Sequence, residues 1–390
     1  MTARFAALLV AALSLLAAAL STGGALYFLF FLLLASAALF SLVSVACAFA
    51  LSRFSCELER VRVVRGEEAV LLCALQLRVP LPIAPLRLRV TPPGADGEYE
   101  ADVAARAFGR SVARHRFACP HVGIFSCGVR RVVFRDALGL FSLSKGTGQG
   151  LLPLTVLPAV LQEPPLRFSP DDSGDEKMAR ARDDATSPAD VRAYQEGDEL
   201  RRVHWKLSLR RGTLMVRTFE EPERPDALIL MDCSPPAASG ETALYMRDAL
   251  CESAASLASV QLSASHIVRI PLPCARPREL TGDHAAHLPL ILEGLAGASF
   301  DGTERFERVL MLETRRMRRT GSTAILTTHL SSRIADMIVT IRRMGPQVRL
   351  IYVHVNELTP EASLLLTRIE CADIEVETVM LIDESEAVHA

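Results

Sequence analysis

The chain has 390 residues, a hydrophobic fraction of 50% and a formal net charge of −2. This length allows two ordinary domains and an additional element, and the near-neutral charge argues against a general affinity for nucleic acid or for acidic partners. The nine cysteines include no CxxC pair. A zinc site and a disulfide framework are therefore not indicated, and we expect reduced thiols.

An uncharged segment of 48 residues, from Phe5 to Ser52, follows the N-terminus. It is too long for one membrane span of about 20 residues, and Gly23-Gly24 separates its two apolar halves. Arginines flank the segment on both sides, whereas the turn carries no charge. This pattern predicts a transmembrane helical hairpin over residues 1–55 with both ends in the cytoplasm. The protein would then be a multi-pass protein of the inner (cytoplasmic) membrane with cytoplasmic soluble domains.

A secretory signal peptide over Phe5–Leu20, followed by a single span, is the alternative interpretation. It is the weaker interpretation because only Arg4 precedes the apolar segment and because a second apolar block follows at once.

Residues 56–161 are predicted to be rich in β-strands, because short segments alternate between apolar and polar residues and are punctuated by proline and glycine. Their spacing predicts a small, antiparallel β-sandwich-like domain. The strand candidates are Leu75–Val79, Leu86–Val90, Arg114–Phe117 and Val129–Phe134.

Residues 162–193 are first rich in proline and then acidic, with few apolar side chains, so we expect a linker there. Residues 226–390 alternate between apolar strands and helix-like segments, which predicts a doubly wound α/β domain. Ala227–Met231 is a continuous apolar run, as in a strand buried on both faces. Further strands are expected at 266–271, 324–327 and 348–355, and helices at 241–262, 303–319 and 332–344.

Residues 194–225 form a distinctive segment that contains the only tryptophan of the chain, Trp205. Gly197-Asp198 is typical of a turn. Every second residue from Val203 to Leu207 is apolar, which predicts an extended strand with Trp205 in a core. A hairpin turn at Arg211-Gly212 would join this strand to the next one.

This segment resembles the signature of the domain-of-unknown-function-58 family. The residues that carry the resemblance are Arg192, Tyr194, Gly197, Asp198, Arg201, His204, Trp205, Leu214, Val216, Arg217, Glu220 and Glu221. Upstream, residues 135–141 are similar to the Asp-Pro-Phe-Gly-Leu-Phe segment of that family, with Ala137 and Leu138 in place of Pro and Phe. The resemblance implies a membrane-anchored bacterial protein, not known to be an enzyme, with a von Willebrand factor A-like C-terminal half. It also implies an association with a MoxR-type AAA+ ATPase.

The charged residues of the signature allow two interpretations. They form either a face that binds a partner or an anion, or a structural clasp in which the cations pair with nearby acids. The cations are Arg201, His204, Arg210 and Arg217, and the acids are Asp198, Glu220 and Glu221. A hydrolase centred on His204 and Asp198 is a further alternative, because a histidine can act as a general base near neutral pH. The sequence offers no recognisable nucleophile and orienting group beside it, which weighs against catalysis.

Asp232 and Ser234 follow the first strand of the α/β domain, at the end where parallel sheets bind ligands. A von Willebrand-type metal site uses Asp-x-Ser-x-Ser there, because carboxylate and hydroxyl oxygens suit Mg²⁺. Here Pro236 replaces the second serine, and a later strand ends in Thr327-Thr328-His329 without a carboxylate. A metal-dependent adhesion module with a degenerate Mg²⁺ site is therefore an alternative. The simpler expectation is that Asp232 binds backbone N–H groups and that Ser234 caps a helix beginning at Pro235.

The leading hypothesis is a non-enzymatic, membrane-tethered scaffold that binds protein partners and needs no cofactor. Its hairpin would lie in the lipid bilayer, and the resemblance implies a MoxR-type AAA+ ATPase as partner, in envelope-related assembly or chaperoning. No nucleic-acid partner is expected, and the arginines of 315–319 are interpreted as favourable charges at a helix C-terminus. No metal-ligand spacing is evident among His115, His121, His266, His284, His287 and His329.

Overall fold

The computed structural model of the chain describes residues 3–77, 85–94, 97–104, 109–148, 150–168, 190–195, 200, 203–218, 226–315 and 320–381. The chain divides into two compact units, residues 1–157 and residues 158–390. Val79 of the first strand candidate and most of the predicted acidic linker lie outside the described residues.

The first unit begins with two apolar helices, α1 (Ala3–Thr22) and α2 (Ala25–Leu51), on either side of Gly23-Gly24. Neither helix contains a proline or a glycine, and both are rich in leucine and alanine, which favour helical structure. By length and composition, both are able to cross a membrane. The two helices agree with the predicted hairpin.

Short strands follow and build two sheets. The first sheet contains β1 (Arg53–Leu58), β3 (Glu68–Gln76) and β6 (Arg110–Ala118), in that order. The second contains β2 (Arg62–Val64), β9 (Leu152–Leu157), β7 (Gly123–Arg135), β4 (Leu86–Thr91) and β5 (Tyr99–Val103), in that order, and β8 (Ser142–Gly146) pairs with β7.

Leucines from both sheets belong to one hydrophobic core, among them Leu71 and Leu75 of β3 and Leu86 and Leu88 of β4. Side chains alternate across each strand, so one face of each sheet lines this core. The arrangement is sandwich-like, as predicted from the alternation of apolar residues. It departs from a purely antiparallel sandwich because β2 pairs with β9 in parallel.

A buried carboxylate connects α2 to the end of β7. Asp136 is 1% exposed, and it accepts hydrogen bonds from the Ser41 hydroxyl of α2 and from the Phe141 backbone N–H at 2.9 Å. Burial raises the pKa of Asp136, but the hydrogen bonds from Ser41 and Phe141 outweigh this effect and hold the pKa below its ordinary value. The carboxylate is therefore ionised at neutral pH and fixes this loop on α2.

The same loop contacts the start of α1. The rings of Phe5 and Phe141 lie 4.9 Å apart between centroids. Gly139 adopts a φ of +70°, and a Cβ there would lie 2.9 Å from Nη1 of Arg4, so glycine suits both the backbone and the space. The beginning of α1 and the middle of α2 thus meet at one loop, which is the segment similar to Asp-Pro-Phe-Gly-Leu-Phe.

The second unit contains a small hairpin and a larger sheet. In the hairpin, β10 (Asp190–Ala193) pairs antiparallel with β11 (Met215–Thr218), and the short helix α3 (Trp205–Arg211) lies between them in the chain. The larger sheet contains β14 (Arg278–Gly282), β13 (Ile267–Leu272), β12 (Asp226–Met231), β15 (Thr320–Thr327), β16 (Gln347–Val355) and β17 (Glu375–Leu381), in that order. Its neighbouring strands are parallel, except that β14 runs antiparallel to β13.

Helices cover both faces of this sheet. They are α4 (Gly240–Ser263), α5 (Leu288–Ala296), α6 (Phe306–Thr314), α7 (Ser332–Arg343) and α8 (Pro360–Glu370). Leu228 and Leu230 of β12 share a core with α6, α7 and α8. Because side chains alternate along a strand, Ala227 and Ile229 point to the opposite face, and α4 packs against the same strand. The doubly wound α/β arrangement agrees with the prediction. Of the helix expected at 303–319, α6 covers Phe306–Thr314, and residues 316–319 lie outside the described residues.

Replacing Asp136 with alanine is expected to destabilise the first unit by about 1.5–3 kcal/mol, because Ser41 and the Phe141 N–H lose a buried, charged acceptor. Thermal melting of the full chain in detergent would measure this loss. Asp102→Ala is the matched control, since Asp102 is an exposed carboxylate of β5 in an ion pair with Arg87. Equal melting temperatures for the two variants would contradict a structural role of the Asp136 loop.

Candidate functional site at the centre of the sheet

The two central strands of the α/β sheet end side by side. Met231 of β12 is opposite Leu326 of the parallel strand β15, so Asp232 and Thr327 meet at the carboxyl edge of the sheet. From this point the chain passes through α4 to β13 on one side and through α7 to β16 on the other. A crevice at such a switch in strand order is where open α/β sheets bind ligands.

Asp232 is the centre of the candidate site. Its side chain is 2% exposed, and Oδ1 accepts hydrogen bonds from the Ser234 hydroxyl at 2.6 Å and from the Ser234 backbone N–H at 3.0 Å. Oδ2 accepts a hydrogen bond from the Thr327 hydroxyl at 2.8 Å. The prediction that Asp232 binds nearby backbone N–H groups is confirmed. The carboxylate also joins the ends of β12 and β15.

His329 adds an imidazole to this site. Its Nδ1 lies 3.5 Å from Oδ2 of Asp232, 3.4 Å from Oγ of Ser234 and 3.1 Å from Oγ1 of Thr328. The Asp232 carboxylate raises the pKa of His329 above its ordinary value, with a smaller contribution from Glu307 and against the effect of burial.

The contact with His329 also affects the pKa of Asp232. Burial raises the pKa of Asp232, but hydrogen bonds from His329, Ser234 and Thr327 outweigh it, so the pKa lies below its ordinary value. The site therefore combines a buried anion with an imidazole side chain that is 36% exposed. When the imidazole is protonated, it presents a positively charged hydrogen-bond donor to the crevice.

The donor set does not suit Mg²⁺. This ion requires near-octahedral coordination by oxygen, whereas Asp232, Ser234 and Thr327 supply one carboxylate and two hydroxyls that already bond to one another. A protonated His329 imidazole would also repel a dication at this position. Asp232 and Ser234 are thus the residues that could hold a metal, but the arrangement around them favours the ion pair.

The expectation that Ser234 caps a helix at Pro235 is wrong. The helix α4 begins at Gly240 after Ser239, and the Ser234 hydroxyl donates to Asp232 instead. A buried carboxylate needs donors, and this requirement outweighs the local preference of Ser-Pro for a helix start. The role of His329 was missed, since only the pairing of β12 with β15 brings it to Asp232.

The signature segment differs from its predicted strand. Trp205 begins the helix α3, which ends at Arg211 and is followed by Gly212 with a φ of +68°, the left-handed conformation common after a helix. His204 precedes the helix, and its Nδ1 accepts a hydrogen bond from the Leu207 backbone N–H at 3.2 Å. The alternation from Val203 to Leu207 was misleading, because lysine, leucine and arginine favour a helix once both ends are capped.

Trp205 is consequently not a core residue. Its side chain is 58% exposed, and Leu209, one helical turn later, is 83% exposed. The packed side of the segment consists of Val203, Met215 and Val216, and Ser208 joins it because Oγ accepts from the Met215 backbone N–H at 2.9 Å. The helix therefore presents Trp205 and Leu209 to its surroundings.

The other signature residues are placed only in part. Arg192 is an exposed residue of β10, and Tyr194 is half-buried after the strand, with its backbone N–H bonded to the Leu214 carbonyl at 2.8 Å. Arg217 is in β11, opposite Val191. Outside the described residues lie Gly197, Asp198, Arg201, Glu220 and Glu221, so the clasp and the pairing of His204 with Asp198 stay predictions.

Replacing His329 with glutamine is expected to remove a pH dependence of stability. Because the folded-state pKa of His329 is raised, its stabilisation is complete below its ordinary pKa of 6.5 and is lost as the pH rises through the folded-state pKa. The expected difference is about 1 kcal/mol at low pH, since the imidazole is partly exposed to solvent.

Melting of the full chain and of His329→Gln between about pH 5.5 and 8.5 would measure this difference. Thr328→Val is a control that keeps both charged groups. A difference between wild type and His329→Gln that does not shrink as the pH rises would contradict the ion pair.

Comparisons with known proteins give one family match. The family model described as "Protein of unknown function DUF58" matches residues 190–389. No curated protein matches the chain.

Among solved structures, the SpRpn10 VWA domain is similar at 11% identity and a TM-score of 0.27, with 40% of this chain and 88% of that chain covered. Spo0M, a sporulation control protein from Bacillus subtilis, is similar at 14% identity and a TM-score of 0.17, with 37% and 58% covered. The fold assignment rests on the strand order above and not on these scores.

Proposed function

This chain belongs to the DUF58 family, whose function is unknown, and we propose that it is a non-enzymatic, membrane-anchored scaffold that binds a protein partner. The observation that carries the proposal is the attachment of two long apolar helices to a folded domain through the Asp136 loop. The von Willebrand factor A-like character of the C-terminal half is part of the proposal and is supported by the order of the parallel strands.

The anchor is proposed to be a hairpin with both ends on one side of the membrane. The 20 residues of α1 span about 30 Å, which matches the hydrocarbon core of a bilayer. Phe5 of α1 and Ser41 of α2 contact the same loop, so the two helices start and finish on the same side. Arginines on that side support a cytoplasmic orientation in the inner membrane.

The partner surface is proposed to be the exposed side of α3. Trp205 and Leu209 provide apolar area, and Lys206 and Arg210 are exposed basic residues of the same helix. Tryptophan and arginine are enriched among the residues that dominate binding energies at interfaces. A partner with an apolar groove and an acidic rim would suit this surface.

A MoxR-type AAA+ ATPase is the partner that we propose. The support for this choice is the family resemblance, and the process would be envelope-related assembly or chaperoning. His204 supports a scaffold over a hydrolase, because its hydrogen bond to the Leu207 N–H gives it a structural role at the start of α3.

Crosslinking in native membranes, followed by capture of the full chain, tests the partner. An AAA+ ATPase is expected among the captured proteins, and Trp205→Ala or Leu209→Ala is expected to lower its recovery about ten-fold or more. Leu364→Ala is the matched control, since Leu364 is a 73% exposed leucine on α8.

The variants should melt at the wild-type temperature, because neither side chain is buried. Recovery of no ATPase would contradict the proposed partner. Recovery that is insensitive to both substitutions would contradict the proposed surface.

Reporter fusions test the orientation of the anchor. A reporter that is active only in the cytoplasm is expected to be active when it is fused to the C-terminus of the full chain. The same reporter inserted between Gly23 and Gly24 is the matched control and is expected to be inactive. A periplasmic signal from the C-terminal fusion would overturn both the orientation and a cytoplasmic ATPase partner.

A further inference from the structure

Three ligand-type side chains converge at the turn between β14 and α5. Nδ1 of His284 and Nδ1 of His287 each lie 2.8 Å from the same oxygen, Oδ1 of Asp283. The ligand atoms of all three residues lie within 4.8 Å of one another. We propose that Asp283, His284 and His287 bind a divalent transition-metal ion of the zinc, cobalt, nickel or copper class. This site is separate from the Asp232 site.

The backbone holds the three residues in place. A 3-10 turn at Ala285–His287 follows β14 and leads directly into α5, which brings His287 back beside Asp283. Gly282 lies under the turn, and a Cβ there would come within 3.1–3.3 Å of Ile291, Leu262 and Cβ of His287. This close packing fixes the backbone at both ends of the ligand set, so metal binding would not have to order a loop.

The hydrogen bonds within the cluster place conflicting demands on Nδ1 of His287. Both Nδ1 atoms approach one carboxylate oxygen, and the Asp283 backbone N–H also points to Nδ1 of His287 at 3.5 Å. A neutral imidazole carries one proton, so one nitrogen cannot donate to the carboxylate and accept from the backbone. A cation between the three atoms would accept the lone pairs of both nitrogens and of the carboxylate.

The geometry is close to that of a metal site. Ligands at about 2.0–2.1 Å from a tetrahedral ion are separated by about 3.3 Å, which is about 0.5 Å more than the observed nitrogen–oxygen distances. Because the side chains are 44–75% exposed, they can rotate by this amount.

The ligand types select the metal class. Two imidazoles and one carboxylate suit zinc, cobalt, nickel and copper, whereas Mg²⁺ and Ca²⁺ prefer oxygen alone. Three protein ligands leave at least one position open for water or for a ligand from another molecule. No ligand spacing was inferred from the sequence here, because only the 3-10 turn gives the Asp-His-x-x-His segment a convergent geometry.

Metal titration of the tag-free full chain in detergent tests the site. One equivalent of Co²⁺ is expected to bind with the visible absorption of a nitrogen-ligated ion, and Zn²⁺ is expected to displace it. His284→Asn and His287→Asn are each expected to weaken binding by about 10–100-fold or more.

Two controls make the result specific. His121→Asn removes a histidine of the first unit, and Asp336→Asn removes an exposed carboxylate of α7, so both should bind Co²⁺ as the wild type does. Equal melting temperatures of the metal-free variants would show that the losses are not due to unfolding. No bound metal in the wild type, or unchanged binding in the His284→Asn, His287→Asn double variant, would overturn the proposal.

Discussion

Buried carboxylates need hydrogen-bond donors, and this constraint organises both units of the chain. Taking a charge out of water is costly unless partners replace the lost hydration. Asp136 meets the requirement with the hydroxyl of Ser41 and a backbone N–H of its own loop. Asp232 does the same with the hydroxyl of Thr327 and the N–H of Ser234. In each case the hydroxyl comes from a distant element, so the carboxylate fixes a tertiary contact as well as a turn.

Charged side chains have different surroundings at the two edges of the α/β sheet. Near the amino ends of the strands, Arg349 of β16 is 5% exposed and pairs with Glu163 and Glu377, and Arg269 of β13 pairs with Asp226. These arginines have carboxylate partners in the interior, so their role is structural, and Arg349 ties the segment around Glu163 to the sheet. At the carboxyl edge, His329 is paired to a buried acid but remains partly exposed. The carboxyl edge is thus where a charge is both stabilised and accessible.

The sequence predicted elements wherever one periodicity extended over enough residues. Ala227–Met231 could hardly be anything but a buried strand, and the uncharged N-terminal segment could form only long apolar helices. The strand predicted within the signature segment was wrong because a stretch of seven residues fits both a strand period and a helix period. There, the caps at His204 and Gly212 decide the structure. The pair of Asp232 and His329 could not be predicted for a different reason, since it depends on the register between β12 and β15.

The hairpin of α1 and α2 exposes a large apolar surface. Arg4 and Phe5 contact the Asp136 loop, and Val45 and Ala48 of α2 belong to the core of the sheets. Large side chains such as Phe28 and Leu32, in contrast, are more than half exposed. Soluble monomers rarely expose contiguous apolar patches of more than about 300–600 Å². A lipid environment, as proposed, would cover this surface. The Asp136 loop would then be the point at which a tilt of either helix reaches the β-sheets, because both helices contact the folded domain there.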